Sequence, residues 1–238
     1  MLGLGNSMYH TGASFVGGLD PTQVSNLAVY LKRKEGVTAA KWNDSSGNLN
    51  HATQATVGDQ ATVSDGGLLF ESADGDHYDF DNQIAIDSEQ GFTIMVVIKN
   101  TTVSANMCLL GLNSTQHFLE FTNPSGTDKG DKLRIRLGST TTTINPDGDD
   151  QFGTSRALFT VVREAGATGN LLVYKDGTEL DQSSQAANPG DAEFISLGTR
   201  NGDRFLNALV YEFIFYQKAV SGTELVQLHE TLVSKHLL

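Results

Sequence analysis

Glu179 and Asp181 have the spacing of a catalytic pair of carboxylates. Residues two apart in a strand share a face, and glycoside hydrolysis needs two carboxyl groups beside the scissile bond. This pair follows directly after the Asp176-Gly177 turn and stands among small polar residues. Two acids in such a setting are usually solvated side chains of a surface strand. We therefore expect no catalysis here.

The histidines and serines do not form a familiar catalytic or metal motif. His229-Glu230 begins like a zinc-protease helix, but position 233, where the second histidine would stand, is Val233. His236 lies seven residues after His229, too far along a helix for the two side chains alone to chelate one ion. Gly153-Thr154-Ser155 lacks the G-x-S-x-G frame of a serine nucleophile. We expect neither a zinc site nor a serine hydrolase site.

Two acidic loops have the oxygen ligands that calcium prefers. The candidate ligands are Asp74, Asp76 and Asp81 around the first loop, and Asp147, Asp149 and Asp150 in the second. Neither loop matches the twelve-residue helix–loop–helix calcium site, and acidic turns are common in acidic proteins. Calcium is thus the one cofactor that the sequence suits, and none is required.

The composition restricts the kinds of partner. The formal net charge is −12, with 28 Asp and Glu against 16 Lys and Arg, whereas nucleic-acid binding needs clustered cations. Cys108 is the single cysteine, so no internal disulfide forms. Residues 1–15 lack the basic start and apolar stretch of a signal peptide, and no run approaches the roughly 20 apolar residues of a membrane helix. We expect synthesis in the cytoplasm, no nucleic acid and no membrane.

Short apolar runs separated by turn residues predict an all-β chain. Ala157–Arg163 and Leu171–Tyr174 flank a loop with two glycines and form a hairpin, and Asp176-Gly177 is a strong turn signal. The other predicted strands are Leu27–Leu31, Gly66–Phe70, His77–Phe80, Phe92–Ile98, Met107–Leu112, Phe118–Phe121, Leu133–Leu137, Glu193–Gly198 and Leu206–Tyr216. Arg134 and Arg136 would share an outward face.

Strict alternation predicts two faces for the run Leu206–Tyr216. Leu209, Tyr211, Phe213 and Phe215 form one face, and Val210, Glu212, Ile214 and Tyr216 the other. We expect Glu212 to pair with Arg200 or Arg204. The residues predicted to lie between two sheets are Phe92, Ile94, Leu109, Phe159, Val161, Leu172, Tyr211 and Phe213.

A terminal helix follows the last strand. Ser221 and Glu224 have the spacing of a capping box, and Val220 and Leu225 that of a hydrophobic staple. We expect this helix to serve as scaffold.

The order of these motifs resembles a laminin G-like domain of the concanavalin A-like lectin and glucanase superfamily, over roughly Leu27 to Leu237. Three of the segments that carry the resemblance come early in the chain, at 42–47, 50–54 and 67–80. The others begin with the strand and Gly-rich loop of 156–169. They continue with L-V-Y-K-D-G, I-S-L-G, the Gly-Asp loop, L-V-Y-E-F-I-F-Y and the S-x-x-E start of the helix. The resemblance implies a two-sheet antiparallel jelly-roll sandwich with a short C-terminal helix. Versions found in bacteriophage virion structural proteins are the most similar.

The same resemblance bears on catalysis and on calcium. Glucanases of the superfamily carry E-x-D-x-x-E on one strand, and the segment at Glu179 lacks the third acid. Many laminin G-like domains bind calcium at the rim of the sandwich.

Residues 1–19 form a Gly-rich N-terminal arm ahead of a jelly-roll domain at 20–238. The arm is too rich in glycine for regular structure, yet it carries several large apolar side chains. We expect Leu2, Leu4, Tyr9 and Phe15 to dock on another subunit, the alternative being that the arm packs on its own domain.

Three functions stay open. The first is a non-enzymatic virion structural protein, in a capsid decoration or a tail, with other virion proteins and copies of itself as partners and the virion as its location. The second is a carbohydrate-binding host adhesin, for which Trp42, His51, Tyr78 and Tyr9 are the candidate glycan contacts. The third is a glycoside hydrolase, which the missing acid disfavours.

Overall fold

Two antiparallel sheets and one α-helix account for most of the described chain. The computed structural model describes residues 18–87, 89–102, 106–112, 114–122, 132–144, 152–166, 169–180, 184–185 and 191–238. The calcium candidates Asp147, Asp149 and Asp150 and the docking residues Leu2, Leu4, Tyr9 and Phe15 lie outside these ranges, as does Asp181.

The strands follow in chain order, with a single turn of 3₁₀-helix at Pro21–Gln23 before the first and another at Val57–Asp59. They are β1 Leu27–Leu31, β2 Lys41–Trp42, β3 Ala52–Thr53, β4 Thr62–Ser64, β5 Gly67–Phe70, β6 Tyr78–Ile86, β7 Phe92–Asn100, β8 Met107–Leu112, β9 Ser114–Thr122, β10 Lys132–Leu137, β11 Thr140–Ile144, β12 Ala157–Arg163, β13 Asn170–Lys175, β14 Thr178–Glu179, β15 Ser184–Gln185, β16 Ala192–Leu197 and β17 Ala208–Tyr216. The helix α1 spans Gly222–His236.

The nine-stranded sheet has the order β14-β13-β12-β7-β17-β5-β4, with β1 paired to β17 and β15 paired to β13. The eight-stranded sheet has the order β11-β10-β9-β8-β16-β6-β3-β2. Every pairing between these strands is antiparallel. The predicted jelly-roll sandwich is confirmed. No helix in the described ranges is long and apolar enough to cross a membrane.

The main hydrophobic core lies between the two sheets. Six of the eight predicted core residues are there: Phe92, Ile94, Leu109, Phe159, Val161 and Phe213. The prediction was wrong for Leu172 and Tyr211, which belong to a second cluster on the opposite face of the nine-stranded sheet. That cluster also contains Leu225, Leu228 and Leu232 of α1, because the helix covers this face.

A β-bulge explains the error in β17. The register between β17 and β7 shifts between Val210 and Glu212, so one extra residue interrupts the alternation. Val210 before the bulge and Phe213 after it both face the core between the sheets. Tyr211 and Ile214 face the helix. The predicted two faces of this strand therefore exchange partway along it.

The start of α1 also differs from its prediction. The Ser221 side chain makes no capping hydrogen bond, and Glu224 instead accepts a hydrogen bond from Lys218 Nζ at 2.9 Å. Val220 and Leu225 are both buried in the cluster beneath the helix, as a staple requires. The predicted Asp176-Gly177 hairpin turn is confirmed, since both residues have positive φ and the flanking Lys175 and Thr178 pair.

Candidate functional site

Three loops meet at one end of the sandwich and enclose a cavity of about 400 Å³. They connect β5 to β6, β7 to β8, and β16 to β17. The cavity is lined by Ser72, Thr102, Asn106, Met107, Asp203, Arg204, Phe205 and Asn207. This set combines an aromatic ring with amide, hydroxyl, carboxylate and guanidinium groups.

Phe205 places its ring against the loop between β5 and β6. A Cβ added at Gly75 would lie 3.7 Å from the ring, and the ring centroid of His77 lies 5.9 Å from that of Phe205. The ring is partly exposed and borders the cavity. An aromatic face flanked by polar groups suits a sugar, whose ring carries apolar C–H faces and hydroxyl groups at its rim.

The polar groups of the cavity are held by the loops themselves. The Asn207 side-chain oxygen accepts a hydrogen bond from Thr101 Oγ1 at 2.6 Å, and the Asp203 carboxylate accepts one from the Arg204 backbone N–H at 2.8 Å. Arg204 has φ +55°, a left-handed conformation that costs a non-glycine residue roughly 1–2 kcal/mol. Such strain concentrates at functional positions.

Arg204 also belongs to a second group, which we call the arginine cluster: Glu120, Arg134, Arg200 and Arg204. The fully buried Glu120 carboxylate lies 2.9 Å from Arg200 Nη1, 3.7 Å from Arg134 Nη1 and 3.7 Å from Arg204 Nε. Arg134 and Glu120 are cross-strand partners on β10 and β9. The cluster lies on the outer face of the eight-stranded sheet, since Leu119, Phe121, Leu133 and Ile135 point into the core.

Phe118 supports the arginine cluster from β9. Its buried ring centroid lies 4.3 Å from the Arg200 guanidinium and 5.5 Å from that of Arg134. Both contacts have cation–π geometry, which holds the guanidinium planes over the sheet. The ring of Phe118 is therefore covered by the arginines.

The hydrogen bonding of the arginine cluster is incomplete within the described ranges. Neither Glu120 oxygen has a partner in hydrogen-bond geometry, and Arg200 Nε, Arg204 Nε and Arg204 Nη1 are buried donors without an acceptor. Burial raises the pKa of Glu120, and the attraction of the three guanidinium groups offsets only part of that effect.

Glu212 does not have the partners predicted for it, because Arg200 and Arg204 lie at Glu120. Its carboxylate accepts hydrogen bonds from His236 Nε2 at 2.6 Å, Lys235 Nζ at 2.7 Å and the Tyr30 hydroxyl at 2.6 Å. The bulge in β17 turns Glu212 toward α1, which carries two of these donors. The buried carboxylate–histidine pair therefore fastens the helix to the sheet.

The predicted metal ligands of the first loop do not converge. Asp74 and Asp81 are exposed, whereas Asp76 is buried and accepts a hydrogen bond from the Glu71 backbone N–H at 2.7 Å. No three His, Cys, Asp or Glu side chains in the described ranges form a group that could hold a metal ion. The structure thus does not assemble the predicted set Asp74, Asp76 and Asp81.

The predicted aromatic contacts for a glycan are not on the surface. Trp42 and Tyr78 are fully buried; the Trp42 indole N–H donates to the Lys32 carbonyl and the Tyr78 hydroxyl to the Ala39 carbonyl. His51 is partly buried and its Nδ1 accepts a hydrogen bond from the Asp44 backbone N–H at 2.9 Å. Trp42 and Tyr78 were therefore wrong as sugar-stacking residues, because both rings are part of the core.

Sequence reasoning missed Phe205 and the arginine cluster. The Asn201-Gly202-Asp203 turn was visible in the sequence as a loop, and the outward face shared by Arg134 and Arg136 was predicted correctly. The arginine cluster brings residues of β9 and β10 together with residues of the loop after β16, which lie more than 60 positions later in the chain. No local sequence pattern predicts such a contact.

Comparison with known proteins identifies the fold but no family. No family model matches the sequence, and no curated protein matches it. Among solved structures, a Trypanosoma rangeli sialidase in complex with sialic acid is similar over 89% of this chain and 33% of the sialidase, at 17% identity and a TM-score of 0.61. This chain thus spans about a third of the length of that enzyme.

Two further similar structures are binding domains by their descriptions or by their ligand. The binding domain of Paraclostridial Mosquitocidal Protein 1 is similar over 90% of this chain and 53% of its own length, at 18% identity and a TM-score of 0.61. The other is domain 4 of AbnA, a GH43 extracellular arabinanase from Geobacillus stearothermophilus, solved in complex with arabinotriose. It is similar over 86% of this chain and 98% of its own length, at 15% identity and a TM-score of 0.57. At such identities the similarity establishes the sandwich fold.

Proposed function

We propose that this protein is a non-enzymatic carbohydrate-binding module. The observation that carries the proposal is the cavity at the sandwich end, where Phe205 stands beside Asp203, Arg204, Asn106 and Asn207. An aromatic face with a few directed polar groups is the composition that binds a sugar ring. The solved complex of the similar arabinanase domain with arabinotriose is consistent with a sugar-binding role for a sandwich of this size.

A second cavity, of about 440 Å³, is less suited to this role. Amide side chains dominate its lining, among them Asn26, Asn48, Asn82 and Gln217. The Asn48 amide already donates to the Leu27 carbonyl at 2.6 Å. No aromatic ring is among the residues that line this cavity.

The test is direct binding of sugars to the full chain. We expect Phe205→Ala to weaken binding of an oligosaccharide by up to about tenfold, since an aromatic contact is worth about 0.5–1.5 kcal/mol beyond the area that it buries. Isothermal titration calorimetry against a panel of neutral and acidic oligosaccharides measures it. Val57→Ala is the matched control, because Val57 is an exposed apolar residue outside the cavity.

Absence of binding to every sugar in the panel would overturn the proposal. Equal affinity of Phe205→Ala and the unaltered chain would place the sugar elsewhere. Release of reducing sugar by the unaltered chain would show an enzyme instead.

We further propose that the module serves in a virion, as a capsid decoration or tail-associated protein. The support is the sequence resemblance together with the composition of residues 1–17, which are rich in glycine yet carry several large apolar side chains. Those residues are then available to bind other virion proteins or further copies of the chain. A glycan on the host surface would be the target of the cavity.

A further inference from the structure

We propose that the sugar bound in this cavity carries a carboxylate, and that Arg204 binds it. This inference rests on the carbohydrate-binding function proposed above and specifies the chemical class of the ligand. It starts from an imbalance in the arginine cluster. Three guanidinium groups surround one buried carboxylate, and neither oxygen of that carboxylate is hydrogen-bonded.

The imbalance leaves hydrogen-bond donors in need of an acceptor. Arg200 Nε, Arg204 Nε and Arg204 Nη1 are buried and unpartnered within the described ranges. A buried donor without an acceptor costs free energy, and such groups are uncommon in folded proteins. These three atoms are closed to solvent, so a ligand carboxylate would meet the exposed part of the Arg204 side chain, which lines the cavity.

The geometry gives such a carboxylate a route. The side chains of Arg134 and Arg204 are 32% and 29% exposed, whereas that of Arg200 is 9% exposed and is held against Phe118. Arg204 both contacts Glu120 and lines the cavity next to Phe205. A sugar stacked on Phe205 would therefore have its acidic group within reach of Arg204.

The charge of the chain favours a single carboxylate over a polyanion. The protein carries a net charge of −12, which repels long polyanions such as nucleic acids. The Asp203 carboxylate lies 3.9 Å from Arg204 Nε and is 77% exposed, so it opposes any negative group near Arg204, and it opposes a ligand with several negative groups most strongly. A guanidinium fork accepts a carboxylate in a bidentate arrangement. Uronic acids and nine-carbon sugar acids share this chemistry.

The experiment compares acidic sugars with matched neutral ones. The probes each carry one carboxylate: galacturonic acid with its methyl ester, and sialyllactose with lactose, titrated calorimetrically into the full chain. We expect one acidic probe to bind at least tenfold more tightly than its neutral partner, since a charge-assisted bidentate contact is lost with the charge. Which acidic probe binds distinguishes the two sources of the carboxylate.

Protein variants test the assignment to arginine. Arg204→Gln should reduce affinity for the acidic probe at least tenfold and leave the neutral probe within about twofold. Arg204→Lys should recover only part of the loss, because an ammonium group cannot form the fork. Arg136→Gln is the matched control: Arg136 is on the same face of β10 but donates to the Gly138 carbonyl and is not part of the cluster.

Each outcome separates the two proposals. Tight binding of a neutral sugar with no preference for its acidic partner overturns the carboxylate inference and leaves carbohydrate binding in place. No binding to any probe overturns both. If Arg204→Gln unfolds, as a thermal melt would show, the comparison of galacturonic acid with its methyl ester still decides, since it changes only the ligand.

Discussion

Glu120 and Glu212 are both buried glutamates, and their surroundings move their pKa values in opposite directions. Burial raises the pKa of each carboxyl group. At Glu212, hydrogen bonds from His236, Lys235 and Tyr30 outweigh burial and lower the pKa. At Glu120 the guanidinium groups lie close but without hydrogen-bond geometry, so burial prevails. Glu212 therefore completes a structural contact, and Glu120 stands in the arginine cluster, beside the cavity that we propose as the sugar site.

His229 should make the protein sensitive to mild acid. It lies on the buried side of α1 with Nε2 3.0 Å from Thr160 Oγ1, and burial lowers its pKa from 6.5 to about 4. The unfolded chain binds a proton near pH 6.5 and the folded chain does not, so the contribution of His229 to stability is complete above pH 6.5. It is lost as the pH falls from 6.5 to about 4. The amount is on the order of 2 kcal/mol after solvent screening.

Urea unfolding at pH 7 and pH 4.5 measures this effect. We expect His229→Gln to reduce the difference in unfolding free energy between the two pH values. Glu230→Gln, on the exposed side of the same turn, should keep the difference. An unchanged difference in His229→Gln would show that other groups cause the acid sensitivity.

At the scale of elements, one bulge decides how α1 and β17 are joined. Without the extra residue in β17, Glu212 would not share the helix-facing side with Tyr211 and Ile214. With it, the carboxylate meets Lys235 and His236 in the last turn of the helix. Apolar packing of Leu225, Leu228 and Leu232 covers the rest of the interface.

We expect Glu212→Gln to destabilise the protein by about 1–3 kcal/mol at pH 7, because the carboxylate accepts three hydrogen bonds and the amide that replaces it cannot satisfy all three donors. The lowered pKa of Glu212 means that its contribution is present above about pH 4.5 and is lost as the pH falls through the folded-state pKa. The difference from the unaltered chain should therefore shrink toward pH 3. Urea unfolding across this range checks it.

The control is Glu224→Gln on the same helix. Glu224 accepts a hydrogen bond from Lys218 at 2.9 Å but is 48% exposed, and such a pair contributes only about 0–1 kcal/mol. Equal destabilisation by the two substitutions would contradict a special role for the buried contact.

At the scale of the whole molecule, the first described residues lie against α1. Leu19 packs against the cluster beneath α1, and a Cβ added at Gly18 would lie 2.3 Å from Thr231 Oγ1, so the chain touches the helix from Gly18 onward. A deletion that ends at residue 17 keeps both of these contacts.

If residues 1–17 serve for docking, their deletion should leave a cooperative thermal transition within a few degrees of the full chain, since it removes none of the described residues of the two hydrophobic clusters. If the protein is a virion component, the shortened chain should no longer join particles that lack the protein. Sedimentation of mixtures of particles with either form measures the occupancy. Full occupancy by the shortened chain would refute docking by the arm. Loss of the cooperative thermal transition would show that the arm instead packs on its own domain.

Local sequence patterns did not predict β2, β3, β4, β11 or β15. They were sufficient for the other strands, the Asp176-Gly177 turn and the terminal helix, because hydrophobic periodicity and turn chemistry act over a few residues. They were also sufficient for six of the eight core positions. They failed at β17, where a bulge inserts one residue and only the pairing with β7 reveals it. The prediction for Leu172 failed for a different reason. Its side chain lies on the face of the sheet that the helix covers, and a strand pattern does not tell where a helix packs.

The candidate site was decided by tertiary structure. Trp42 and Tyr78 read as exposed sugar contacts in the sequence, yet their burial follows from which face of each strand meets the opposite sheet. Phe205 and Arg204 acquire their role only when the loops after β5, β7 and β16 meet. Arg134 and Glu120 are neighbours through the β9–β10 register. Such long-range pairing is set by the packing of the whole sandwich, which no short stretch of sequence encodes.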